Sequence, residues 1–195
     1  ADDLRPEWLE GFSYLYIEGY LVQDHDLICR AVEMAHAAGL KVCLDLASYN
    51  IVEAQHEFFS YLLDHTDIVF ANEEEALAFT GKGPREALDL LAQRCEVAVV
   101  KTGKEGAMAR RGEEFAQAPA EPVAQVVDTT AAGDFFAAGF LTVAFGASLI
   151  SLTSSTGSVF TSTLAALAAA FASAFCFFSA SRAAIFAAVA SCIFC

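Results

Sequence analysis

The stretch DIVFANEEEALAFTG at residues 67–81 sets the fold class of this chain. Its first six residues, 67–72, form a nearly continuous apolar run, which is typical of a strand buried on both faces of a sheet. The acidic residues that follow begin a predicted helix over 73–80, and Gly81 ends that helix as a C-cap. A buried strand that runs directly into a helix is the repeating unit of α/β proteins.

The same unit recurs on both sides of that stretch. Strands are predicted at 14–21, 41–47 and 96–101, and helices at 24–39, about 51–65 and about 84–94, the last with Pro84 near its first turn. Residues 106–111 and 113–119, joined at Gly112, predict an antiparallel hairpin. Since strands alternate with helices, right-handed crossovers and a mainly parallel sheet are expected. The sequence therefore predicts a layered α/β domain.

Composition limits the classes of partner. The chain has 195 residues, of which 56% are hydrophobic, and its formal net charge is −14. This charge argues against nucleic acid or an anionic membrane as an electrostatic partner, but it leaves binding of a single anion at a local site open. The first residues, ADDLRP, show no signal peptide, so a cytoplasmic location is expected.

The composition changes abruptly near residue 142. Residues 1–142 carry 10 Lys and Arg against 25 Asp and Glu, whereas Arg182 is the one charged residue after Thr142. We therefore divide the chain into an α/β core at 1–142 and a C-terminal helical segment of the same domain at 143–195. The lack of a charged helix face there favours residue identities altered by a frameshift or misassignment. A buried helical pair and a membrane-associated tail are the alternatives.

The strongest chemical motif is DTTAAGD at 128–134, which leads into the apolar residues FFAAGF. Small side chains let the backbone N–H groups of 131–134 converge on an anion, and the N-terminus of the following helix adds positive potential. Asp134 would then lie beside a phosphoryl group, where it could take a proton from a hydroxyl. From spacing alone, a helix N-terminus with Asp134 favouring the dipole remains the alternative.

This segment resembles the second signature of the PfkB (ribokinase-like) carbohydrate kinase family, D-T-x-G-A-G-D. The resemblance implies that Asp134 is the general base and that Ala131, Ala132 and Gly133 supply the amides of the anion hole. It places Thr130 beside the nucleotide and Asp128 in a loop that often contributes to a monovalent-cation (K⁺) site. Ala131 stands where the family usually has Gly, so reduced rather than abolished activity is expected.

Asn72-Glu73-Glu74-Glu75 resembles the N-x-x-E motif of the same family. The resemblance implies that Asn72 and Glu75 organise hydrated Mg²⁺ on the nucleotide phosphates, in keeping with the preference of that ion for oxygen ligands and retained waters. An N-capped helix with an acidic first turn is the alternative.

Lys101-Thr102-Gly103-Lys104-Glu105-Gly106 resembles the strand and turn of the family beside the nucleotide. The resemblance implies ATP contacts at Lys101, Thr102, Gly103 and Gly106, with Lys101 or Lys104 against phosphate. A hairpin turn without a ligand is the alternative.

The resemblance to the family spans roughly residues 8–142. The segments LDLASYN (44–50) and ANEEEALAFTG (71–81) are similar in sequence to the adenosine kinase-like branch of that family. The resemblance implies a three-layer ribokinase-like fold, here without the N-terminal portion and lid of the family. It also implies transfer of the γ-phosphoryl group of MgATP to a hydroxyl of a small-molecule nucleoside or sugar. A nucleotide-binding module without catalysis is the alternative, and a homodimer is left open.

Overall fold

The computed structural model describes residues 1–120, 132–145 and 149–152. Its strands are β1 Tyr14–Glu18, β2 Lys41–Asp45, β3 Ile68–Asn72, β4 Val97–Lys101, β5 Ala107–Arg111, β6 Glu114–Ala118 and β7 Leu149–Leu152. They form one sheet in the order β6-β5-β4-β3-β2-β1-β7. Strands β7 and β1 to β4 are mutually parallel, and β5 and β6 extend the sheet as an antiparallel hairpin.

The helices that connect and cover the strands are α1 His25–Ala37, α2 Tyr49–Ala54, α3 His56–Leu63, α4 Glu73–Thr80, α5 Pro84–Leu91 and α6 Ala132–Phe145. Short 3-10 turns lie at Pro6–Leu9, Gly19–Gln23 and Gly103–Glu105. Each crossover between the parallel strands β1 to β4 therefore contains helix, as the alternating pattern of the sequence predicts.

Alternate strand residues build two cores, one on each face of the sheet. In β1, Leu15 and Ile17 pack with buried residues of α1 to α5, while Tyr14 and Tyr16 pack on the opposite face with α6. This alternation follows from the period of two along a strand. The fold has three layers, with helices on both faces of the sheet, so the predicted three-layer α/β fold with a mainly parallel sheet is confirmed.

Among the predicted elements whose limits differ from the structure, two show a clear physical reason. The strand predicted at 14–21 ends at Glu18, because Gly19 begins a 3-10 turn packed against the end of β2. A Cβ atom on Gly19 would lie 2.6 Å from the carbonyl oxygen of Leu46, so only glycine permits this approach. The helix predicted at about 51–65 is two helices, which meet where Gln55 leaves helical geometry.

The segment predicted to be helical from residue 143 is only partly so. Helix α6 continues to Phe145, but Leu149–Leu152 is a strand that pairs in parallel with β1. The reason is that β1 offers an open row of backbone hydrogen-bonding groups, which a short apolar run can pair with. The division of the chain near residue 142 stays a prediction, and 153–195 lie outside the described residues. No helix in the described ranges combines the length and apolar character needed to cross a bilayer.

Candidate active site

Four polar residues end four neighbouring parallel strands. Glu18 ends β1, Asp45 ends β2, Asn72 ends β3 and Lys101 ends β4. Glu18 is in register with Asp45, and Asn72 is in register with Lys101. The first turn of α6 lies over the same edge. Ligands in open α/β sheets bind at the carboxyl ends of the strands, so this edge is the candidate active site.

A buried ion pair occupies the centre of this edge. Lys101 Nζ donates to Asp45 Oδ2 at 2.9 Å, and the two side chains are 19% and 5% exposed. The second oxygen, Asp45 Oδ1, accepts from the backbone N–H of Ala47, a residue in left-handed conformation at φ +60°. Burial alone would lower the pKa of Lys101, but the nearby carboxylates of Asp45 and Glu75 raise it by more. The pKa of Lys101 is therefore above its ordinary value, and the side chain stays a cation.

Asn72 and Glu75 bind each other at the start of α4. Asn72 Oδ1 accepts from the Glu75 backbone at 2.9 Å, and both carboxylate oxygens of Glu75 accept from N–H groups of Asn72. This reciprocal capping box was one of the two alternatives for the N-x-x-E motif. Burial and the charge of Asp45 raise the pKa of Glu75 to about 7.

The first turn of α6 rests directly on the ion pair. A Cβ atom on Gly133 would lie 3.2 Å from Lys101 Nζ and 3.6 Å from Asp45 Oδ2. The next residue, Asp134, accepts a hydrogen bond through Oδ1 from the Tyr16 hydroxyl at 3.2 Å. Burial and Asp45 raise the pKa of Asp134, and they outweigh the opposing effects of Tyr16 and Lys101. A raised pKa makes this carboxylate a stronger proton acceptor.

The predicted site residues divide into those brought together at the strand ends, those outside the described residues, and those of the turn after β4. The structure brings together Asp134, Gly133, Lys101, Asn72 and Glu75 at the strand ends, and Ala132 begins α6 beside them. Asp128, Thr130 and Ala131 lie outside the described residues, so their predicted roles stay predictions.

The predicted nucleotide-contacting turn after β4 is tightly built. Thr102 is buried, and both its N–H and its hydroxyl donate to the carbonyl oxygen of Gly106. Gly103 and Gly106 have positive φ, and Lys104 is exposed between them. The Thr102 side chain therefore stabilises the turn, and the predicted ATP contacts at Thr102, Gly103 and Gly106 stay predictions.

The sequence did not indicate Tyr16 or Glu18 as site residues, and Asp45 entered only as part of the LDLASYN segment (44–50), without a role. One signal was available for Tyr16: it shares a strand face with Tyr14 and lies two residues before the strand end, so its hydroxyl can reach the site. Asn50, the last residue of the LDLASYN segment, is exposed in the first turn of α2.

The residues predicted for Mg²⁺ fit a hydrated ion better than a directly bound one. Both oxygens of Glu75 already accept hydrogen bonds from Asn72, so they suit contact with waters of the ion, and Mg²⁺ commonly keeps several of its waters. Across residues 1–120 and 132–141, no group of three or more His, Cys, Asp or Glu side chains is arranged to hold a metal ion.

Comparisons with known proteins agree with this fold. The chain matches the family described as "pfkB family carbohydrate kinase" over residues 1–183. It is 30% identical to 2-dehydro-3-deoxygluconokinase of Escherichia coli over 153 residues, 70% of this chain and 49% of that protein. The adenosine kinase structure from Sinorhizobium meliloti has a TM-score of 0.67 and 38% identity over 72% of this chain and 45% of that one.

A third comparison shows likeness of fold alone. The structure of a putative ribokinase II from Escherichia coli, in complex with ATP and Mg²⁺, has a TM-score of 0.63 at 23% identity, over 71% of this chain and 47% of that one.

The three-layer sheet, with its polar strand ends under a glycine-containing helix start, defines an α/β domain of the ribokinase-like class. The chain belongs to the pfkB family of carbohydrate kinases, as the motifs of the sequence predicted. It spans about half the length of the curated relatives it matches.

Proposed function

We propose that this chain carries the nucleotide-binding and proton-accepting part of a kinase that transfers the γ-phosphoryl group of MgATP to a small-molecule hydroxyl. The observation that carries the proposal is the placement of Asp134. It lies half-buried in the first turn of α6, next to the Lys101–Asp45 pair. A proton acceptor, a cation and a helix N-terminus thus occupy one end of the sheet.

Each group has a distinct part in the proposed reaction. The acceptor hydroxyl gives its proton to the carboxylate of Asp134, its oxygen bonds to the γ-phosphorus, and the bond from that phosphorus to ADP breaks. Lys101 and the N–H groups at the start of α6 stabilise the negative charge on the transferring group. When bound, Mg²⁺ supplies further neutralisation of the phosphates, and Asn72 and Glu75 would hold its hydration shell.

The acceptor we propose is a nucleoside, as the name of the Sinorhizobium meliloti adenosine kinase suggests, or a sugar, as the name of the Escherichia coli 2-dehydro-3-deoxygluconokinase suggests. A monovalent cation near Asp128, a homodimer and a cytoplasmic location stay predictions that the resemblance and the composition support.

Substitution of the proposed base tests the function. We expect Asp134→Asn to lower ADP formation by about 10²–10⁴-fold, the usual contribution of a general base, with little change in the Kd for ATP. The assay would measure ADP from MgATP with adenosine, ribose or 2-dehydro-3-deoxygluconate, and calorimetry would measure ATP binding.

Asp26→Asn is the matched control, because Asp26 is an exposed aspartate in the first turn of α1, far along the chain from these motifs. It should retain wild-type turnover. Full turnover by Asp134→Asn would contradict the assignment of the base. A wild-type chain that binds ATP but converts no acceptor would instead favour the non-catalytic module.

A further inference from the structure

We infer that Tyr16 is a positioning residue for Asp134: its hydroxyl binds one carboxylate oxygen and thereby presents the other to the acceptor. The inference rests on the proposed function, since it concerns the same base. It adds a residue from β1 that the family motifs in this sequence do not include.

The hydrogen bond defines which oxygen is engaged. Tyr16 Oη donates to Asp134 Oδ1 at 3.2 Å, across 118 positions of the sequence. Oδ2 is therefore the oxygen left for the acceptor hydroxyl. A carboxylate anchored through one oxygen has one well-defined direction for receiving a proton, and such orientation is worth much of the rate in positioned reactions.

Packing holds the Tyr16 ring in place. The ring is 2% exposed and meets Phe70 of β3 edge-on, with centroids 6.4 Å apart. Phe70 in turn meets Phe136 and Phe140 of α6 edge-on, at 6.4 and 5.5 Å. The aromatic cluster that fixes α6 to the sheet thus also fixes the phenol that binds Asp134. A change in the position of α6 would change both together.

The charges around Asp134 explain what the hydrogen bond does. Within the described part of the chain, the titratable groups that influence Asp134 are Tyr16 and Glu18 of β1, Asp45 of β2 and Lys101 of β4. Burial and the charge of Asp45 raise the pKa of the Tyr16 phenol, so the phenol keeps its proton and remains a donor. Its hydrogen bond favours the ionised carboxylate and lowers the pKa of Asp134, against the effect of burial.

Tyr16→Phe separates this role from a structural one, because it removes the hydroxyl and keeps the ring. Loss of the hydrogen bond should raise the pKa of Asp134, so the acid limb of the pH profile of kcat/KM should move to higher pH by about one unit, a typical size for a hydrogen bond to a charged group. Well above that limb, where Asp134 is ionised in both proteins, kcat should stay below the wild-type value, because the carboxylate has lost the hydrogen bond that orients it.

Tyr14→Phe is the matched control. Tyr14 is a buried tyrosine on the same face of β1, but it begins that strand, and the charged side chains that influence the pKa of its phenol include Lys41, Glu96 and Asp67. Removal of the Tyr14 hydroxyl should leave the acid limb of the pH profile at its wild-type position. A ¹³C titration of the Asp134 carboxyl group in both variants gives the same comparison without turnover, and it should show the upward shift only in Tyr16→Phe.

The outcomes distinguish the inference from the function on which it rests. If Asp134→Asn is inactive while Tyr16→Phe has an unmoved acid limb, the positioning role is wrong and the general base stands. A moved acid limb with full wild-type kcat above it would show that the hydroxyl changes only the pKa of Asp134, and it would likewise overturn the inference. If Asp134→Asn is fully active, the proposed function itself fails.

Discussion

At the residue scale, Lys101 brings a positive charge among the carboxylates of Asp45, Glu75 and Asp134. Its closest partner, Asp45, is nearly inaccessible to solvent, so the pair has given up most of its hydration. A buried pair of this kind is weak evidence for net stability, but removal of one partner leaves the other charge buried and unpaired. Substitution of either Lys101 or Asp45 alone should therefore lower the unfolding free energy.

Lys101→Met should destabilise the fold by about 3 kcal/mol, because it leaves Asp45 buried and unpaired. The double variant Lys101→Met with Asp45→Asn should recover a large part of that loss, since it also removes the unpaired charge of the Asp45 carboxylate. Urea unfolding of the wild type, both single variants and the double variant measures this. Strictly additive effects would show that the two side chains do not interact.

Glu75 gives a pH dependence with a definite sign. Its folded-state pKa is raised, by burial first, to about 7, above the ordinary value for a glutamate. The folded state therefore holds a proton that the unfolded state has released, so the contribution of Glu75 to the unfolding free energy falls as pH rises from the ordinary glutamate range to about 7.

Glu75→Gln should remove this dependence. The difference in unfolding free energy between the variant and the wild type should shift in favour of the variant over that interval of pH. Urea titrations at several pH values measure the difference, with Glu57→Gln as control, since Glu57 is an exposed glutamate in the first turn of α3. Parallel pH profiles for Glu75→Gln and wild type would contradict the raised pKa.

At the scale of elements, the turn between β4 and β5 shows how backbone geometry fixes the site. Gly106 has φ +102° and ψ −131°, a region that only glycine occupies readily. A Cβ atom there would lie 1.9 Å from the carbonyl oxygen of Ala118 at the end of β6. The turn that carries the predicted ATP contacts is thus held by the hairpin behind it.

Gly106→Ala should cost about 3 kcal/mol, since strained backbone and steric overlap add together. Gly112→Ala is the control, because Gly112 also has positive φ, at +54°, but its added Cβ would meet open space. The control should cost only about 1 kcal/mol, the penalty for left-handed backbone. Equal costs for the two variants, measured by thermal or urea unfolding, would show that the contact with Ala118 is unimportant.

At the scale of the whole molecule, apolar runs such as 67–72 and 96–101 were enough to predict the parallel sheet. The family resemblance of the motifs implied that Asp134, Asn72 and Lys101 serve one nucleotide site. Contacts between distant segments could not be predicted in this way. The bond from Tyr16 to Asp134 and the pairing of Lys101 with Asp45 depend on register and packing, which no local pattern contains. Strand β7 was missed because a run as short as LISL, at 149–152, is compatible with helix and strand alike.

Nucleotide binding should also be visible in the stability of the whole fold. At an ATP concentration of 100 times Kd, mass action adds about 2.7 kcal/mol to the unfolding free energy. Asp134→Asn should gain the same increment as the wild type, because the base acts on the acceptor. Thermal unfolding with and without MgATP measures it, and an Asp134→Asn variant that ATP no longer stabilises would assign that carboxylate to nucleotide binding.

A crystal structure of the chain with a non-hydrolysable ATP analogue and Mg²⁺ tests the central claim most directly. The account predicts that the terminal phosphate lies against the first turn of α6, within hydrogen-bonding distance of its backbone N–H groups and beside Asp134 and Lys101. A terminal phosphate bound at any other edge of the sheet would contradict it.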